Sequence, residues 1–170
     1  AGGANACVLH YTANNQVLRD GDLVLIDAGC EVSGYASDIT RTFPVNGRFS
    51  GAQRDLYAIT LAAQEAAIAA TRPGAAFHAP HDAALGVLVQ GMIDLKLCEG
   101  SPEGVLESGD YRRFYMHRTS HWLGLDVHDL AHLRIDGAFV GLVLGQELHQ
   151  LEPLGLDGGL QRLPPALVAD

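Results

Sequence analysis

Two short β-rich apolar runs on either side of a turn constrain this chain more than any other feature. Leu23-Val24-Leu25-Ile26 and the run from Ile39 to Val45 flank Val32-Ser33-Gly34, a stretch suited to chain reversal. The pattern predicts a β-hairpin over residues 22–45, entered through Asp20-Gly21-Asp22. Pro44 should lie near its exit, because proline cannot donate to the ladder. With Val32 and Ser33 as the two loop residues, Asp27 stands directly opposite Asp38. Opposed side chains sit roughly 4.5–5.5 Å apart at Cβ, where like charges destabilise, so the pair needs compensation. A divalent cation bridging both carboxylates would supply it. Two aspartates at a solvated turn or edge is the other reading these residues allow, since a small slip of register separates them.

The rest of the chain is read from helical periodicity. Ser50 and Gln53 form a capping box, after which Leu56, Ile59 or Thr60, Ala63, Ala66 or Ala67, and Ala70 share one helical face. That helix should stop at Arg72-Pro73-Gly74. A second starts with Pro80 in its first turn and runs through Leu85, Leu88, Met92 and Leu95 to a stop at Gly100. Residues 101–110 read as an acidic loop, residues 114–129 as an extended segment rich in histidine and aromatic residues, and Cys7 to Tyr11 as a short strand. From about Ala138 leucine and glycine dominate and neither period holds. The expected fold class is α+β, an antiparallel sheet with at least two helices packed on it.

Composition excludes several classes. A chain of 170 residues suits one domain with a real core. No apolar run approaches the roughly 18 residues of a membrane span, so no membrane partner is expected. Net charge of −9 with Lys96 as the one lysine argues against a nucleic-acid partner. Cys7, Cys30 and Cys98 are odd in number and lack C-x-x-C spacing, so they read as buried small residues rather than as disulfides or metal ligands. No secretory leader opens the chain, and the expected localisation is cytoplasmic.

His117 and His121 are four apart and share a face of an extended segment, with Trp122 on the other. His128 falls on the opposite face unless Gly124 marks a bend. Neutral imidazole is a common metal ligand and proton shuttle; each histidine alone reads as structural before catalytic, and the cluster of three beside aromatics is what points to function.

Taken in order, Leu9-His10-Tyr11, Leu25-Ile26-Asp27-Ala28-Gly29-Cys30, Ser37-Asp38-Ile39-Thr40-Arg41-Thr42-Phe43-Pro44 and the segment from Met116 to Asp129 resemble aminopeptidase P. This is the proline-specific, manganese-dependent branch of the creatinase-like, pita-bread metallopeptidases. The resemblance covers residues 1–137, read as the catalytic core, with 138–170 as a divergent tail. It implies two divalent metal ions, manganese by family, held by Asp27, Asp38 as the bridge, His121 and Glu152. It further implies that His10, His117 and His128 face a proline-containing peptide substrate, and that Glu152 handles the proton during water attack. The parent reaction removes the amino-terminal residue from peptides with proline second, and relatives often assemble as homo-oligomers.

Two departures accompany the resemblance. Leu154 stands where the Glu-Pro-Gly motif has glycine, and no glutamate follows Glu152 to supply the bridging residue of the usual G-x-R-x-E motif. The family's amino-terminal domain has no counterpart, and the tail reads as a replaced ending. Prolidase, which cleaves dipeptides ending in proline, and a catalytically inactive remnant or binding domain are therefore the alternative readings.

Overall fold

The hairpin predicted from the two apolar runs forms the sheet on which the candidate site sits. In this computed structural model, which describes residues 1–129 and the backbone of Leu142–Leu144, strand β1 (Leu23–Ala28) pairs antiparallel with β4 (Ile39–Pro44). The hairpin tip carries β2 (Glu31–Val32) and β3 (Tyr35–Ala36). The register differs from expectation by one turn residue: the loop is Ser33-Gly34, with φ of 54° and 86°. A two-residue hairpin of this kind needs positive φ at both centres, which the β-branched Val32 resists and Gly34 accepts. Asp27 consequently faces Thr40, not Asp38. Displacing the loop by one residue moves every partner by two, so both aspartates stay on one face.

Cys7 to Tyr11 is not a strand. Gly3–Cys7 forms a 3-10 turn, closed by N–H bonds from Asn5 to the Gly2 carbonyl and from Val8 to the Asn5 carbonyl. The free edge of β1 is occupied instead by the first two residues. Ala1 exchanges both backbone bonds with Leu25 at 2.8 Å, and Gly2 bridges Val24. This cover helps explain why Leu23, Val24 and Leu25 are all buried although they alternate in direction.

Helix α1 (Gly51–Ala70) has the predicted capping box, with Gln53 N–H donating to Ser50 Oγ and Ser50 N–H to Gln53 Oε1. Its small face packs on α2 (Ala79–Asp94), giving a core of Leu56, Ala63 and Ala67 against Ala84, Leu85, Leu88, Val89 and Met92. Burying each larger side chain there contributes about 2 kcal/mol. The second helix ends before Gly100. The Leu97 and Cys98 amides both return to the Met92 carbonyl, with Lys96 left-handed at φ 60°.

Residues 101–110 are not a loop throughout, since α3 (Pro102–Ser108) is capped by Ser101 and stopped by left-handed Gly109. Val105 of α3 and Phe114 close the helical core. The extended segment is short: only β5 (Ser120–Trp122) is strand, paired with β6 (Leu142–Leu144). All three cysteines are thiols outside any disulfide. Cys98 is buried and Cys7 partly so, but Cys30 is exposed in the hairpin and does not follow the buried expectation.

Candidate metal centre

The hairpin ladder breaks between its two halves, and that break positions the second aspartate. Ser37 N–H donates to the Cys30 carbonyl at 2.8 Å. In return Cys30 N–H donates at 2.9 Å to the Ser37 hydroxyl rather than to its carbonyl. The Ser37 carbonyl is turned onto Gly29, where a Cβ would lie 1.9 Å from its oxygen. Glycine is thus required here by close backbone approach. Asp38 follows immediately, two residues from Thr40 and diagonal to Asp27, and their carboxyl groups share a hydrogen bond.

Burial raises the Asp38 pKa above the ordinary carboxylate value. The charge of Asp27 and the hydrogen bond that a protonated Asp38 carboxyl gives to it add to the rise, and the His121 interaction opposes it. His121, from the middle of β5, places Nε2 3.0 Å from Asp38 Oδ2 and Nδ1 2.9 Å from the Trp122 carbonyl. A carbonyl can only accept, so Nδ1 carries the proton in that bond and Nε2 of a neutral ring presents a lone pair to a carboxylate. Two electron-rich atoms in such contact need a proton or a cation between them. A metal-ligating histidine characteristically donates its other ring N–H to a carbonyl or carboxylate in this way.

His128 reaches the same place because residues 123–129 fold back, as the bend at Gly124 requires. Gly124 N–H donates to the Asp126 carbonyl at 3.1 Å, Leu125 N–H to Asp129 Oδ2 at 3.0 Å, and Asp129 N–H to the Trp122 carbonyl at 3.2 Å. The His128 ring then stacks on His121 with centroids 4.0 Å apart. The His10 ring lies 6.3 Å from His128, edge-on. Thus Asp27, Asp38, His121, His128 and His10 form one continuous set. His117 bonds the Arg118 carbonyl at 3.2 Å and lies beside the Tyr115 ring. Trp122 stacks on Phe77 at 4.8 Å, which supports a packing role. Glu152 lies outside the described residues.

Among the described residues, no group of three or more His, Cys, Asp or Glu side chains is placed so that it could hold a metal ion. The donor types nonetheless suit a divalent ion: two carboxylates and an imidazole fit manganese or zinc, and the Asp38–His121 contact can be satisfied by such an ion as well as by a proton. Sequence reasoning missed Ser37 and Asp129. Their side chains act through bonds to backbone within irregular segments, and the only available signal is their polar type.

Comparison with known proteins agrees with this geometry. The family model described as metallopeptidase family M24 matches residues 1–153. An Xaa-Pro aminopeptidase of Haemophilus influenzae is 54% identical over 130 residues, covering 76% of this chain and 30% of the relative. One from Escherichia coli is 44% identical, covering 99% of this chain and 36% of its own length. The solved aminopeptidase PepP of Pseudomonas aeruginosa superposes with a TM-score of 0.76 at 48% identity, covering 82% of this chain and 31% of that one. A zinc-substituted Escherichia coli aminopeptidase P in complex with product gives 0.75 at 46% identity, covering 82% of this chain and 32% of that one. The chain therefore spans about a third of these relatives and has part of their pita-bread fold. On the match over residues 1–153, with its aspartates and histidine set on that fold, the chain belongs to metallopeptidase family M24.

Proposed function

We propose that this chain carries the metal-binding core of an Xaa-Pro aminopeptidase site. Asp27, Asp38 and His121, completed by Glu152, hold two divalent ions, manganese in the resident state. The supporting observation is the contact of His121 Nε2 with Asp38 at 3.0 Å, beside the Asp27–Asp38 hydrogen bond. When bound, such ions polarise a peptide carbonyl and make water acidic enough to attack it near neutral pH. Asp38 lies between Asp27 and His121 and would hold metal alongside both. The Trp122 carbonyl holds His121 in the tautomer whose Nε2 is free to ligate. His128 and His10 extend from that centre, and with His117 they position a peptide with proline second and handle protons. Glu152 takes up and returns the proton. The proposal includes a cytoplasmic setting and assembly of like chains; among the described residues no helix is long and apolar enough to cross a membrane.

The test is elemental analysis after dialysis against manganese, with Asp27→Asn alongside. Two ions per chain, lost on substitution, is the expected result, and no bound ion in the parent chain would overturn it. Cleavage of a tripeptide with proline second, against a dipeptide with proline last, separates this reading from prolidase. Metal content separates both from an inactive creatinase-fold remnant.

A further inference from the structure

The first turn of α2 holds the histidine segment at two points, neither belonging to the motifs above. His81 Nδ1 lies 3.0 Å from the Thr119 hydroxyl, across 38 positions of sequence. The Tyr115 hydroxyl also bonds Thr119 Oγ1, and the Tyr115 ring stacks on His81 with centroids 5.9 Å apart and planes 18° apart. Phe77, just before α2, stacks on Trp122 at 4.8 Å and 18°. One tie falls two residues before His121 and the other one residue after it. Side chains alternate along a strand, so holding Trp122 against Phe77 directs His121 to the opposite face.

His81 is half-buried, and burial lowers its pKa. The Arg118 charge lowers it further and Asp82 opposes it. The ring is therefore neutral near neutral pH, with one donor and one acceptor nitrogen. The Thr119 hydroxyl can donate to one of its partners while accepting from the other, so both bonds form together. β5 is only three residues long, too short for its own ladder to fix its rotation.

We propose that His81 is a positioning residue for the candidate metal centre: from α2 it holds the Thr119 hydroxyl and so fixes the rotation of β5 that brings His121 to Asp38. The metal readout below rests on the proposed function; the spectroscopic one does not.

The experiment compares His81→Phe, which keeps the ring and loses the hydrogen bond, with His81→Asn, whose amide occupies the Nδ1 position. Histidine ring ¹⁵N spectra of the full metal-free chain are the first readout. The His121 signals should shift in His81→Phe and return towards wild type in His81→Asn. Titration with Mn²⁺ is the second, with affinity falling about tenfold in His81→Phe and recovering to within about threefold in His81→Asn. Unchanged His121 signals in His81→Phe, or equal shifts in both variants, would overturn the proposal. Shifts that follow the hydrogen bond in a chain that binds no Mn²⁺ would keep the positioning role and refute the metal reading instead. Should either variant fail to fold, Thr119→Val and Thr119→Ser carry the same contrast from the other end of the bond.

Discussion

Replacing Asp38 by asparagine should stabilise the metal-free chain, although it removes a residue central to the site. The Asp38 side chain is 15% exposed and its carboxyl shares a hydrogen bond with a second carboxyl. Burial first, then the charge and bond of Asp27, raise its pKa from 3.8, and the opposing pull of His121 does not cancel them. A group whose folded pKa lies above its unfolded value contributes stability below the unfolded pKa. That contribution is lost as pH rises through the folded one. At neutral pH an ionised Asp38 is therefore a net cost. The asparagine side chain would carry no charge, and its amide can donate to Asp27 and to the Nε2 lone pair of His121. Like charges in cross-strand contact cost up to about 1 kcal/mol, so the variant should gain about that much. For a domain of this size the melting point would rise by roughly 2–4 °C. The assay is thermal unfolding followed by circular dichroism in EDTA, near pH 7 and again at about pH 3, where the parent carboxyl is protonated and the difference should vanish. In excess Mn²⁺ the order should reverse, because ligand binding to the native state stabilises the parent alone. A variant less stable than wild type near pH 7 in EDTA would refute the reasoning, since the His121–Asp38 attraction would then outweigh burial and the Asp27 charge.

Three glycine substitutions test packing. Gly29→Ala places a Cβ 1.9 Å from a backbone oxygen, which no side-chain rotation can relieve, so a loss of about 2 kcal/mol or more is expected. Displacement of Asp38 should appear as weakened Mn²⁺ binding, and a normal melting point with normal binding would contradict the close approach. In α2, Gly91→Ala would bring Cβ within 2.5–2.9 Å of three Ile59 carbons. The overpacking cost of about 1–3 kcal/mol should exceed the helix-propensity gain of about 1 kcal/mol. Gly86→Ala in the same helix meets nothing within 4 Å and should be stabilising by roughly 0.5–1 kcal/mol. Chemical denaturation of both variants checks the pair, and the same sign in both would remove the argument from Ile59.

What could be read from sequence here is what period and parity encode. The capping box and small face of α1 followed from positions alone, and so did the hairpin. The turn was placed one residue early because apolar pattern does not specify φ, whereas Ser33 and Gly34 supply the two left-handed positions that close it. That error preserved parity, so Asp27 and Asp38 were correctly expected on one face although wrongly expected to be opposite. His128 shows the limit. Strand alternation alone sends it away from His121, yet the two rings stack because the Asp129 carboxylate and the Trp122 carbonyl fold the intervening residues back. One of those bonds joins side chain to backbone and the other backbone to backbone within a non-repeating loop, and no periodicity announces them. α3 was missed for a related reason: seven residues are too few to display a helical stripe, and its evidence was confined to Ser101 and Pro102 at one end and Gly109 at the other. The site thus combines a hairpin face dictated by alternation with a histidine loop dictated by particular hydrogen bonds. Substitutions in the hairpin should therefore act through register, and those around residues 119–129 through the loss of single polar contacts.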